Sequence, residues 1–161
     1  MNTARNGPRV GVGSSVAALV LALASAIGAY YEGYVPHTYV DPVGIPTFCF
    51  GHTGPGVTPG RVAKPGECEA LLQQGMAKAY ADVQRCITAP MTPGQAAALT
   101  SATYNAGPKI VCGSTLQRYA NAGQWPEACA QLDRWVFANG IKLPGLIKRR
   151  RSERQLCESG L

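Results

Sequence analysis

Glu32, Asp41 and Thr47 stand in the pattern E-x8-D-x5-T within the stretch YYEGYVPHTYVDPVGIPTFCFGHT. Two carboxyl groups and a hydroxyl are the parts that glycoside hydrolysis requires. One protonated carboxyl gives its proton to the leaving oxygen, while an ionised partner activates water or stabilises an oxocarbenium-like transition state. Tyr30, Tyr31 and the apolar run before them give Glu32 surroundings that disfavour its charged form, as an acid requires. Asp41, on an open turn, is expected to stay ionised, and the Thr47 hydroxyl to hold a water. By spacing alone a Glu and an Asp nine residues apart are most often solvated charges.

Competing constellations are poorer. Cys49 and His52 lie along one strand and turn, with no third group to orient the base onto a thiol nucleophile. His37 and His52 lack a carboxylate partner and read as exposed or structural residues, so neither a metal nor a cofactor is expected. Cys49, Cys68, Cys86, Cys112, Cys129 and Cys157 are dispersed without a C-x-x-C pair. That pattern argues against zinc and for disulfides made in an oxidising compartment, with the pairing open. Trp125 and Trp135 fall at helical positions and read as core. Lys148 to Arg151 reads as a solvated helix face.

The elements that must hold these residues follow from turn and cap signals. Thr38 to Val40, a turn at Asp41-Pro-Val-Gly44 and a return strand from Thr47 to Phe50 predict a hairpin. The Gly- and Pro-rich loop from 51 to 60 leaves room for a third short strand. Helices are predicted from Pro65 to about Arg85, from an N-cap at Thr92 through Tyr104, and from Ser114 to about Asn121. Another runs from Pro126 through Phe137 with Asn139-Gly140 as its stop, and the last begins at Pro144. A small sheet followed by a compact helical body is the expected organisation, one domain's worth in 161 residues.

The N-terminus is different in kind. Val10 to Tyr31 contains no charged residue and follows Arg5 and Arg9. As a helix it would span about 33 Å, enough for a bilayer core of about 30 Å. Twelve of its 22 residues are Ala, Gly or Ser, so it would be held there weakly. A signal peptide cleaved at Ala24-Ser25-Ala26, a permanent anchor, an uncleaved export segment that later slips out, and a buried amphipathic core helix are the competing readings, and the Arg-then-apolar polarity argues for export. The composition fits the uncleaved export segment best. GVGSSV lacks the third glycine and the preceding strand of a phosphate loop. The net charge of +6 suits an anionic polymer, and no finger-like or aromatic-interleaved basic pattern points to nucleic acid.

E-x8-D-x5-T, continued by Phe48-Cys-Phe-Gly51-His52-Thr53-Gly54, resembles the phage-type lysozymes of glycoside hydrolase family 24. The resemblance continues through Ala102-Thr-Tyr104-Asn105-Ala-Gly107, Ser114 to Arg118, Ala128-Cys129, Arg134-Trp135 and Gly145 to Arg150, with Glu153-Arg154. It implies an α+β, lysozyme-like fold: a small N-terminal antiparallel β-lobe, a larger helical lobe, and the active-site cleft between them. It implies a muramidase with Glu32 as general acid and with Asp41 and Thr47 handling the water. His52, Tyr104 and Asn105 would stand near the site as substrate-binding or structural residues. The apolar segment resembles that of signal-anchor-release endolysins, dividing the chain into residues 1–31 and a muramidase domain over 32–161.

The same resemblance implies disulfides 49–68, 86–112 and 129–157. Implied partners are peptidoglycan, the host secretion machinery and, transiently, the inner membrane through residues 10–31. Nucleic acid is not expected, and the chain would be a monomer or weak homodimer. It would be exported, tethered to the inner membrane and released to the periplasm of a Gram-negative host. A lytic transglycosylase and a non-catalytic wall-binding module are the alternatives.

Overall fold

A computed structural model describes residues 12–161. Arg5, Arg9 and the first two residues of the apolar segment lie outside the described residues. Helix α1, Val12–Glu32, crosses position 31/32 without a break. It is stopped by Gly33, whose φ of 72° is a left-handed value that glycine adopts without steric cost. Ser15–Glu32 is long and apolar enough to cross a membrane, yet here it forms one wall of the helical body. Val20, Ala24 and Gly28, four residues apart, face inward onto Leu72, Met76, Ala96 and Ala97. A Cβ at Gly28 would collide with the Met76 methyl group. The Ala- and Gly-rich composition that weakens the segment as an anchor thus lets it pack closely as a core helix.

Strands β1, Val35–Val40, β2, Pro46–Cys49, and β3, His52–Thr53, form one antiparallel sheet in chain order. Tyr39 pairs with Thr47, and Thr47 with Thr53 on its other side. The predicted turn at Asp41 to Gly44 is present, closed by Asp41 N–H donating to the Ile45 carbonyl at 3.0 Å. Phe48, Cys49, Val57 and Cys68 make a small separate core beneath the sheet. The Cys49–Cys68 disulfide ties that lobe to helix α2, Glu67–Cys86.

Helix α3, Pro93–Ala106, is the axis of the larger lobe and is buried almost throughout. Thr92 and Gln95 form a reciprocal capping box: Gln95 N–H donates to Thr92 Oγ1 at 3.2 Å, and Thr92 N–H to Gln95 Oε1 at 2.9 Å. Around it lie α4, Thr115–Asn121, α5, Trp125–Ala130, and α6, Pro144–Glu158. Val83, Leu99, Ile110, Val111, Leu116 and Leu132 fill the space between them, with Trp125 and Trp135 half-buried at the margin. Disulfides Cys86–Cys112 and Cys129–Cys157 close the remaining pairs.

One predicted element is different. The helix expected from Pro126 through Phe137 ends at Ala130, passes through a 3-10 turn at Gln131–Arg134, and becomes a strand. β4, Phe137–Ala138, pairs with β5, Ile141–Lys142. Asn139 and Gly140 do not stop a helix. With φ of 50° and 75° they form the two-residue hairpin turn that Asn-Gly specifies when both central residues are left-handed.

Candidate active site

Glu32 occupies the last position of α1, at the junction of the two lobes. Its Oε1 accepts from Arg149 Nη1 at 2.5 Å and from Asn105 Nδ2 at 3.4 Å. Its Oε2 lies against Gly51, where a Cβ would come within 2.7 Å of that oxygen. With a φ of 73° as well, position 51 suits glycine on both counts. Glu32, Gly51, His52, Thr53, Tyr104 and Asn105 line an open cavity of about 260 Å³. The apolar surroundings expected for Glu32 are replaced by a buried cation and an amide, because Tyr30 turns outward and is 80 % exposed. Tyr31 instead joins α6, bonding Ser152 Oγ at 2.6 Å.

Arg149 and Arg150 overturn the expectation of a solvated basic face. Both are buried, as is Glu153. Arg149 Nε donates to Glu153 Oε1 at 3.0 Å, Ser101 Oγ donates to the same oxygen at 2.7 Å, and Arg150 pairs with Glu153 Oε2. Arg150 also donates to Asn105 Oδ1, which fixes the amide so that Nδ2 turns toward Glu32. Arg149 and Arg150 thus face the buried Glu153 and the partly exposed Glu32, and the opposed charges offset the cost of burying the two arginines. Burial lowers the pKa of Arg150, and Glu153 opposes that shift. Lys148 and Arg151 alone of the four basic residues are exposed.

Tyr104 fastens the lobes together. Its hydroxyl, from α3, donates to the Phe50 carbonyl at 2.8 Å, one residue before Gly51. Its ring lies over Gly75 of α2, where any Cβ would strike it. Burial and, second, the Glu32 charge push its pKa up to about 12, with Arg149 opposing. The unfolded chain releases this proton near the ordinary value of 10.0, whereas the folded protein keeps it to about 12. This contribution to stability is therefore complete below pH 10 and is lost as pH rises toward 12. Tyr104→Phe is expected to flatten that alkaline decline, and to cost about 1 kcal/mol at neutral pH for the lost hydrogen bond. Urea midpoints of the two proteins, compared below pH 10.0 and as the pH rises toward about 12, check both effects.

Asp41 and Thr47 lie on the β1–β2 hairpin and do not line the Glu32 cavity. Asp41 Oδ1 accepts from the N–H groups of Val43 and Ile45 at 2.9 and 2.8 Å, an Asx turn that holds the loop. Thr47 is buried and its hydroxyl donates to the Ile45 carbonyl at 2.9 Å. Tyr39 connects this hairpin to the acid: it pairs with Thr47, and burial, then Glu32, then Asp41 raise its pKa. Thr53, which lines the cavity, pairs with Thr47 from the other side. His52 lies at the cavity edge with its ring 5.8 Å from Phe48, its pKa lowered by burial and next by Arg61. Among the described residues no group of three His, Cys, Asp or Glu side chains converges as a metal site.

The pattern that defines the phage lysozyme family matches residues 29–153. The chain belongs to that family. It is 41 % identical over 120 residues to the SAR-endolysin of Escherichia phage Mu, covering 74 % of this chain and 68 % of that one. To the SAR-endolysin of Enterobacteria phage P21 it is 36 % identical over 150 residues, covering 92 % and 90 %. Among solved structures it is similar to the active form of the P1 phage endolysin Lyz, with a TM-score of 0.79 and 25 % identity over 96 % of this chain and 97 % of that one. Against the secreted inactive form of the same endolysin the TM-score is 0.59, over 88 % and 94 %. The fold of this phage lysozyme relative is therefore lysozyme-like α+β.

Arg149, Arg150, Glu153, Ser101, Gly51 and Tyr39 were not among the sequence candidates. Gly51, Arg149, Arg150 and Glu153 do fall in the stretches that carry the family resemblance, and a second signal was available in the helix period. Cys157 is inward-facing, and counting back along α6 in fours gives Glu153 and Arg149, hence one buried stripe.

Proposed function

We propose that this endolysin hydrolyses the β-1,4 bond between N-acetylmuramic acid and N-acetylglucosamine in peptidoglycan, lysing the host for phage release. The observation that carries the reading is the asymmetric environment of Glu32. Its Oε1 is occupied by the N–H groups of Arg149 and Asn105. An acid proton therefore belongs on Oε2, the oxygen beside Gly51 at the cavity. From there it passes to the glycosidic oxygen as the bond to the anomeric carbon breaks.

Thr47 and Asp41 handle the water in this reading. Since the Thr47 hydroxyl gives its own proton to Ile45, it is left to accept one from a water. That water gives its other hydrogen to the Asp41 carboxylate and presents its lone pair to the anomeric carbon. The hydroxide equivalent adds to carbon and Asp41 takes the proton, so the atoms balance. A substrate chain lying over the β-lobe would span this hairpin and the cavity, which the paired neighbours Thr47 and Thr53 join across the sheet.

Residues 1–31 act in this reading as the signal-anchor-release segment and 32–161 as the muramidase domain. Secretion leaves the chain tethered in the host inner membrane, and release frees it into the periplasm. Greater similarity to the active than to the inactive P1 endolysin supports taking the packed α1 as the released arrangement. Glu32 gains Arg149 and Asn105 only when α1 lies against α3 and α6. In the bilayer α1 cannot make those contacts.

Mass spectrometry of digested wall distinguishes hydrolysis from transglycosylation. The expected products carry reducing muramic acid ends that incorporate oxygen from labelled water. Anhydro-muramyl ends, lighter by one water, would replace this proposal with the transglycosylase.

A further inference from the structure

The β4–β5 hairpin leaves large apolar side chains in water. Phe137 is 59 % exposed, Ile141 64 % and Leu143 38 %. Strand pairing places Phe137 beside Lys142 on one face and Ile141 beside Ala138 on the other. The tight Asn139-Gly140 turn therefore presents one bulky apolar side chain on each face of a narrow tip.

Cations lie along one side of the hairpin: Lys142 and Arg151 line a groove beside it with Ile147, and Lys148 on the same helix as Arg151 is exposed. The two acids of that groove, Asp133 and Glu158, both pair with Arg154, at 2.6 and 2.7 Å. Lys142 and Arg151 are therefore left without an acidic partner among the residues lining the groove. An apolar tip beside a basic flank matches the interface of an anionic bilayer, which offers both an apolar phase and phosphates. A wall polymer offers charge but no apolar phase for Ile141.

We propose that the β4–β5 hairpin is an interfacial anchor for an anionic phospholipid surface. Phe137 and Ile141 enter the headgroup region, and Lys142, Lys148 and Arg151 pair with lipid phosphates. The contact is separate from α1 and from the Glu32 cavity, so it persists when α1 is packed in the folded body and holds the enzyme beside the leaflet. This hold is weak and reversible, as a tip of two apolar side chains allows.

The test uses the full chain carrying Phe137→Trp, with Ile141→Trp as a second probe on the opposite face. Vesicles of phosphatidylcholine containing phosphatidylglycerol are compared with pure phosphatidylcholine, and the emission of the parent protein, from Trp125 and Trp135, is subtracted. With phosphatidylglycerol present, emission of the introduced tryptophan is expected to shift to the blue and to be quenched by brominated acyl chains. High salt reverses both changes. Lys142→Gln is expected to weaken the partitioning by about fivefold. Hydrolysis of soluble wall fragments stays at the parent rate in all three variants, which shows that they are folded. Binding through α1 alone would leave both hairpin probes in water and overturn the proposal. Equal shifts on pure phosphatidylcholine, or shifts produced by wall fragments rather than vesicles, would also overturn it.

Discussion

Glu32→Gln is expected to reduce wall-hydrolysing turnover by roughly 10³-fold, within the range that a positioned general acid contributes. The substitution keeps the shape and an acceptor oxygen for Arg149 and Asn105, while it removes the transferable proton and the carboxylate charge. Arg149 stays paired with Glu153 at 3.0 Å, so the buried cluster still has a counter-charge. The urea midpoint should therefore move little while kcat collapses, and KM for soluble wall fragments should be nearly unchanged. That split separates loss of an acid from loss of structure. A Glu32→Gln enzyme that clears walls at the parent rate would remove Glu32 from the mechanism. It would also bring forward a reading in which the chain only binds the wall.

The parts legible in the sequence were those governed by local rules. Thr92 announced a helix start, and Asp41 to Gly44 the hairpin turn. Each signal is a matter of neighbouring backbone groups, so tertiary context had little to add. The Asn139-Gly140 turn misled because its preferred conformation serves a helix stop and a hairpin equally well. Only the pairing of Phe137 with Lys142 decides between them. The disulfide pairing came from family resemblance, since dispersed cysteines carry no local signal of their partners.

The site was legible in its residue types and illegible in its support. Glu32 became a candidate through the family resemblance rather than through its spacing, and its surroundings are set by residues 73 and 117 positions away. Basic runs are usually solvated, and that expectation failed at Lys148 to Arg151 because α6 buries one stripe and exposes the other. The small-residue character of α1 was likewise open to two meanings. Weak membrane retention and close helix packing draw on the same alanines and glycines; the packing is seen here, and the retention belongs to the proposed signal-anchor role.

Arg149→Met is expected to have the largest effect on stability, lowering the unfolding free energy by roughly 3–5 kcal/mol as one partner of a buried pair is removed. Arg149 is almost wholly buried and bridges two carboxylates, Glu32 on α1 and Glu153 on its own helix, while also donating to the Ser101 carbonyl at 3.2 Å. Methionine approximates the volume of the arginine stem, so the loss reads chiefly as uncompensated charge rather than as a cavity. Arg149→Lys retains the charge without the planar fork. One ammonium cannot reproduce the divergent Nε, Nη1 and Nη2 contacts, so this variant is expected to fall between the parent and Met. Activity should fall in both variants more than the folded fraction explains, because Glu32 loses the donor that assigns its proton to Oε2. Adding Glu153→Gln to Arg149→Met should lower stability further, because Glu153 still pairs with Arg150 in the single variant and its loss strands that second buried arginine. An Arg149→Met enzyme whose turnover fell no further than its folded fraction would mean that Arg149 acts only through folding, and that Asn105 alone suffices to orient the acid.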